Sequence, residues 1–504
     1  MSNASAAPSG ATTAKKIGLI AALAFAVGTM IGGGVFALSG TVVDDAGSGA
    51  IVGYILSGIV MLFSALCFAA VAARAQPGES GYAPIATYLS PVWRFLTMWA
   101  FYIMGVAAIA FVLVSFGNYL IYFFPADMAA SASWWALAAA VLLVLLNFGP
   151  ADLVGRAETW MVGFKVLVLL VMIVFGLLAF VPERLVEAQG TMTAPGSMLY
   201  AAAILFTAYT GFNVVTNMAS QVKNPQKTVP LAVMLSLGIV AVVYILVAVA
   251  LVMSDVKDFG SAGLASAAEK LGEPFGIGAF LGILVAIAAC VSTLSGANAN
   301  VLASADLFVA MAANRDIPTF MGKLTDKGRP VISVGITGVI TVILMVSGAF
   351  ETIVVLSNVA TVIAMIIVAL TALRMSLKKW PGAGMKLPLG PVIPILAILG
   401  AASNLFQYAW WQNLVGAVLV AAGLVFYLLR HRQNAKDLAH INAHVAAGNT
   451  PLRRALTGQP AVTITRADAV AQAPAAAAAA ARAEDAAARA AQAAKAAEDD
   501  ASHA

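Results

Sequence analysis

Charge is what this sequence has least of. Only 10% of its 504 residues are Asp, Glu, Lys or Arg, against about 25% in an average soluble domain. Histidine is nearly absent too, with four in the chain and all at or beyond residue 431. That leaves the hydrophobic body without a catalytic constellation and argues against an enzyme. Cysteine is limited to Cys67 and Cys290. Both lie inside apolar runs with no nearby partner, so they read as small packing residues and exclude a disulfide framework or a cysteine metal site. No cofactor and no metal are expected.

What the chain has instead is apolar length. Its hydrophobic fraction is 61%, and runs of about 18 or more residues with few charges read as transmembrane helices. Twelve occur, at 17–38, 49–73, 95–124, 133–149, 159–181, 198–220, 229–254, 276–310, 331–348, 352–373, 391–408 and 411–429. Three soluble domains, the expectation from length alone, are thereby overruled. Spans 3 and 8 exceed what a bilayer needs and should tilt or project. The fold class is an all-α polytopic membrane protein.

Residues 1–16 form a polar N-terminal tail in which Lys15 and Lys16 precede a run too long for a signal peptide. Residues 431–504 are a second material, alanine-rich and mixed in charge. They carry no apolar stripe and cannot build a core. With the N-terminus inside, the internal loops hold thirteen basic residues, including Arg74, Arg94, Arg156, Lys223, Arg315 and Lys378. The outer loops hold three: Arg184, Lys257 and Lys270. The positive-inside rule then puts both termini in the cytoplasm. It also accounts for the net charge of +5 without nucleic acid.

Span 1 contains "GTMIGGGVFALSG", with Gly32, Gly33 and Gly34 at mid-membrane. Each costs about 1 kcal/mol relative to Ala in a helix interior. Span 6 carries a matching interruption, "LFTAYTGFNVV", around Thr210 and Gly211. Close helix packing would explain either one alone, and Gly28 with Gly32 forms a G-x-x-x-G pair. Their separation by five spans points elsewhere. A second five-helix unit starting at span 6 begins on the opposite side of the membrane, and paired broken helices in inverted halves mark a transporter binding site. Repeat one is 17–181, repeat two is 198–373, and 391–429 holds two accessory helices. The breaks free N–H groups suited to a carboxylate and carbonyls suited to an ammonium. A small zwitterion fits both.

Two ionisable side chains lie within the spans, Lys165 and Asp306. Asp306 can reach the cytoplasmic interface or Arg315. Lys165, near the inner start of span 5, either snorkels to the surface or faces the bundle and exchanges a proton there. Ser292, Thr293, Ser295, Asn298 and Asn300 make one region of span 8 polar, either as a cavity wall or as helix–helix hydrogen bonds.

These segments resemble the amino acid–polyamine–organocation transporters. "GTMIGGGVFALSG" is similar to their span 1 pattern G-x-x-[IV]-G-x-G-[IV]-F, and "GFNVVTNMASQVKNPQKTVPLAV" to their span 6 ending. "ARAQPGESGYAPIATYL" and "SADLFVAMAANRDIPTFMGK" resemble two further family segments. Together they cover most of 17–430. The resemblance implies a five-plus-five inverted repeat and secondary transport of amino acids or related amines across a plasma (bacterial inner) membrane. It places Met30, Ile31, Gly32, Gly33 and Gly34 on the span 1 substrate stretch. Thr207, Tyr209, Thr210 and Gly211 fall on its span 6 counterpart, and we add Asn300 from span 8. Lys165 matches a lysine that stands, in proton-coupled and cationic branches, where sodium-coupled relatives hold an ion. The partners so implied are a small substrate, a proton and the bilayer.

Departures leave the substrate open: Asn213 and Ser220 replace acidic residues, Thr207 stands where some exchangers have an aromatic gate, and "NRDIP" differs from the usual "RDGLLP". The absence of an acidic side chain near the breaks favours neutral amino acids over polyamines. An amino acid/amine exchanger is the alternative. A channel would show a pore filter or rings of charge, and a sensor a soluble signalling domain; neither is visible.

Overall fold

The computed structural model describes residues 18–446, apart from 76–79, 126–127, 129–130, 149–150, 188–194, 214–221, 257–258, 260–261, 326–328, 348 and 380–383. The tail 1–16, Ser220 and the alanine-rich segment past 446 lie outside the described residues. Those described form helices and short 3₁₀ turns, with no strand among them. Residues up to Arg430 make one compact unit, and the chain from His431 onward a second.

Span 1 is two helices, α1 (Leu19–Met30) and α2 (Gly33–Ala46), bent by 43° at Ile31–Gly32. After it come α3 (Gly49–Ala72), the short α4 (Ala83–Tyr88), α5 (Pro91–Ile121), α6 (Ala132–Phe148) and α7 (Ala151–Leu178). Pro91 opens α5 at the first helical turn, where its missing N–H costs nothing. The short α8 (Pro182–Glu187) precedes α9 (Pro195–Leu205), which ends in a 3₁₀ turn over Phe206–Tyr209. Beyond it come α10 (Pro225–Met253), α11 (Gly263–Gly272), α12 (Gly278–Ala313), α13 (Val331–Val346), α14 (Phe350–Leu377), α15 (Val392–Ser403) and α16 (Trp410–Ala446).

Seven of these helices are long and apolar enough to cross a membrane, and the bent α1–α2 pair makes an eighth. Four shorter apolar helices, Ala132–Phe148, Ser197–Tyr209, Val331–Val346 and Val392–Gln407, fall on the remaining expected runs. Residues 214–220 of span 6 lie outside the described residues.

The core sits along α5 and α12, which cross where Gly105 meets Ser304. A Cβ at 105 would overlap the Ser304 hydroxyl. Higher up, Gly296 of α12 approaches the span 1 break so closely that a Cβ there would lie 2.7 Å from the Gly33 nitrogen. Glycine is required at 296 by that approach.

One sequence expectation changes. Asp306 does not join Arg315: it is exposed on α12 and makes no hydrogen bond or ion pair among the described residues. Nine residues are two and a half helical turns, so the two positions lie on opposite faces. Arg315 then turns off the helix with φ of 60°. The carboxylate paired at this end is Asp316, whose Oδ2 lies 3.1 Å from Arg94 at the start of α5, with side-chain exposures of 5% and 15%. Removing one member of a buried pair strands the other's charge, which costs about 3 kcal/mol. We expect Asp316→Ala to lower the thermal midpoint of the detergent-purified protein clearly, and Asp316→Asn to do so less. An Asp316→Ala melting curve matching wild type would show that the pair is dispensable.

Candidate functional site

Breaking α1 at Ile31–Gly32 removes the helical donors for its last carbonyls. Buried side chains from other helices replace them. Lys165 of α7, fully buried, donates from Nζ to Gly28 O at 2.8 Å. The Tyr244 hydroxyl of α10 lies 2.7 Å from Met30 O and 3.1 Å from Ala208 O, so it bridges the two broken spans. Ser292 of α12 donates to Gly32 O at 2.9 Å, with Ile31 O at 3.3 Å. Lys165 therefore faces the bundle. The snorkelling alternative is set aside by its 0% exposure.

The span 6 break is built similarly. Asn358 of α14 accepts from Thr207 N at 2.9 Å and donates to Ile204 O at 3.2 Å. Ser357 meets the Thr207 hydroxyl at 3.2 Å. Thr210 is extended, and Gly211 follows with φ of 123°. A side chain at 211 would be strained there and would also press on Met30 N at 3.0 Å. The Thr29 hydroxyl reaches Gly211 O at 3.2 Å and ties the two breaks together.

Some groups are left over. Among the described residues, the N–H groups of Gly32, Gly33 and Gly34 and the carbonyl of Thr29 make no hydrogen bond. They stand at the positive end of α2 and the negative end of α1, and Thr29, Gly32, Gly33 and Gly34 all line one cavity. That cavity contains about 740 Å³ of empty space including its mouth. It extends along α5 from Val112 to Phe101 and along α12 from Gly296 to Leu307, and no lining side chain is charged.

The opposite end of the bundle is closed by α11. Tyr119 donates to Phe36 O at 2.9 Å and accepts from Leu264 N at 3.3 Å. Tyr122 donates to Glu269 at 2.5 Å, and Gly40 packs face to face with Gly263.

Of the residues expected at the site, Met30, Gly32, Gly33, Gly34, Thr207, Thr210, Gly211 and Asn300 line the cavity. Ile31 and Tyr209 sit behind its wall. Ile31 is fully buried and offers only its carbonyl, and Tyr209 packs on Tyr54 and Tyr244 while donating to Tyr54 O at 2.9 Å. The polar residues of span 8 divide. Asn300 lines the cavity and Ser292 supports the break, whereas Asn298 bonds Asn147 at 2.7 Å and Thr293 bonds its own helix. Sequence reasoning gave Tyr244 and Asn358 no role. A polar side chain at mid-span depth was their only signal.

An interrupted first span, an irregular stretch at Thr210–Gly211, an uncharged cavity beside both and apolar helices throughout describe a multi-pass membrane protein, and family membership makes it a transporter. The chain belongs to the amino acid permease family, whose sequence pattern matches residues 17–428. It is 27% identical over 421 residues to a transporter of Mycobacterium tuberculosis, covering 82% of this chain and 91% of that protein. A branched-chain amino acid permease of Bacillus subtilis is 26% identical over 451 residues, covering 86% and 96%. A methylthioribose transporter of the same organism is 24% identical over 436 residues, covering 81% and 91%.

The triple glycine has a packing role besides. A Cβ on Gly33 would overlap the Val112 methyls, and one on Gly34 would lie 3.0 Å from Ala208 Cα. Gly33→Ala should therefore cost about 1–3 kcal/mol through overpacking and reduce ligand binding. Adding Val112→Ala should restore part of both, measured as a double-mutant cycle on melting and binding. Additive losses would place the damage at the ligand position instead of at Val112.

Proposed function

We propose that this protein is a secondary active transporter of neutral amino acids, coupled to protons, in a plasma (bacterial inner) membrane with both termini cytoplasmic. The observation that carries the reading is the set of unpaired groups at the span 1 break, facing a cavity without charge. The substrate carboxylate would take the N–H groups of Gly32–Gly34, and its ammonium the Thr29 carbonyl. Nothing in the lining neutralises a second positive charge, so dicationic amines fit poorly. The Bacillus relative named for branched-chain amino acids supports a neutral substrate. We read the architecture as twelve spans in a five-plus-five inverted repeat with two accessory helices. On the proposed topology the cavity opens inward and α11 closes the outside. An amino acid/amine exchanger is the second reading, with the same backbone contacts.

Lys165 supports proton coupling. Its ammonium holds the Gly28 carbonyl at the end of α1, and a charge-assisted hydrogen bond is roughly twice as strong as a neutral one. Losing the proton would loosen α1 from α7, which links protonation to movement of the broken helix. Uptake of labelled amino acids into proteoliposomes should be independent of sodium and enhanced by an inward proton gradient. Lys165→Ala should reduce it by about tenfold or more and flatten its pH profile, with the protein still inserted. Strict sodium dependence in the wild type, or an unchanged profile in the mutant, would remove Lys165 from the mechanism. Stronger competition by putrescine than by every neutral amino acid would overturn the substrate assignment.

A further inference from the structure

At the end of the bundle that α11 covers, two helices each bring a carboxylate. Asp45 stands in the last turn of α2 and Glu351 in the first turn of α14. Both lie beyond the apolar runs of their spans, 17–38 and 352–373, and both are exposed. They are close enough for their charges to repel. Tyr200 of α9 joins them: its hydroxyl donates to Glu351 Oε1 at 2.8 Å, and it stands within range of both carboxylates. Neither Asp45 nor Glu351 has an ion pair among the described residues.

Among the described residues, the charges acting on Asp45 and Tyr200 are those of the two carboxylates, with no cation beside them. Two further titratable groups stand nearby and are already engaged. Asp44 of α2 accepts from Phe259 N at 3.1 Å, and Tyr408, near Tyr200, donates to Ala203 O at 2.7 Å. The two carboxylates are not equivalent. Glu351 sits at the positive end of its helix and already accepts a hydrogen bond, and both favour its ionised form. Asp45 sits at the negative end of α2 with the Glu351 charge near it, and both disfavour a second negative charge.

We propose that Asp45 and Glu351 form a proton-operated latch: with one proton between them they hold the ends of α2 and α14 together, and with none they push them apart. A protonated Asp45 can donate toward Glu351, directly or through a water, at the Oε2 that Tyr200 leaves open. The ends of α2, α9 and α14 are then tied beneath α11. With Asp45 ionised, two like charges face each other without a cation, and separation relieves them. Once apart, each carboxylate meets water and titrates in the ordinary range of about 4. The closed state therefore binds the proton more tightly, and acid favours closure. That this end faces outward rests on the topology proposed above; the chemistry of the latch does not.

The separation of the two helix ends is the measurement. Spin labels attached through Thr41→Cys on α2 and Ala349→Cys ahead of α14, both at exposed positions, report it by pulsed EPR, with Cys67→Ala and Cys290→Ala removing the native thiols. In the detergent-purified protein, the population at the longer distance should fall about 2- to 5-fold from about pH 8 to about pH 5, the worth of one exposed charge pair. Asp45→Asn should keep that population low at every pH, because the amide carries no charge and still donates to Glu351. Glu351→Gln should do the same. A wild-type distance that ignores pH, or a response that survives in both Asp45→Asn and Glu351→Gln, overturns the latch. No substrate enters this measurement, so a failure of amino acid uptake would overturn the proposed function and leave the latch standing.

Discussion

A carbonyl or N–H group set free in the middle of a bilayer has no water to turn to, and leaving it unpaired costs several kcal/mol. The organisation around span 1 follows from that constraint. Once the helix stops at Met30 and restarts at Gly33, the carbonyls of Gly28, Met30 and Ile31 lose their helical donors and need others. They receive them from three different helices, through Lys165, Tyr244 and Ser292. A break of this kind cannot be a local event. It exists only because α7, α10 and α12 bring polar side chains to one depth.

The same constraint separates support from site. Groups bonded by neighbouring side chains are structural. Those left over, the N–H groups of Gly32–Gly34 and the Thr29 carbonyl, make no hydrogen bond among the described residues and belong to residues that line the cavity, where the proposed substrate would sit. The glycines make this possible twice, by admitting α12 at Gly296 and the Ala208 backbone at Gly34 within touching distance, and by leaving no side chain over the N–H groups. Packing and the proposed binding fall on the same residues here, so a substitution would disturb both.

Charge is arranged by depth. The described ion pairs lie at the ends of the bundle, Arg94 with Asp316 at one and Lys270 with Glu273 at the other, where water or the interface can help solvate them. The cavity has none. Lys165 stands between these regimes, fully buried and donating to the Gly28 carbonyl close to the bend of span 1.

The class of protein and the positions of the interruptions were legible in the chain, because each depends on local composition against the uniform background of the bilayer. A run of apolar residues, a glycine triplet within it and a lone lysine need no partner to be noticed. Which way Lys165 points, the separation of Asp306 from Arg315, the burial of Ile31 and Tyr209 behind the wall, and the support from Tyr244 and Asn358 were not legible. Each of these depends on helical phase and on contacts between residues hundreds of positions apart, such as Met30 with Tyr244 or Gly33 with Gly296. Apolar helices look nearly alike from the sequence. Only their packing settles which polar atoms meet one another and which are left facing the cavity.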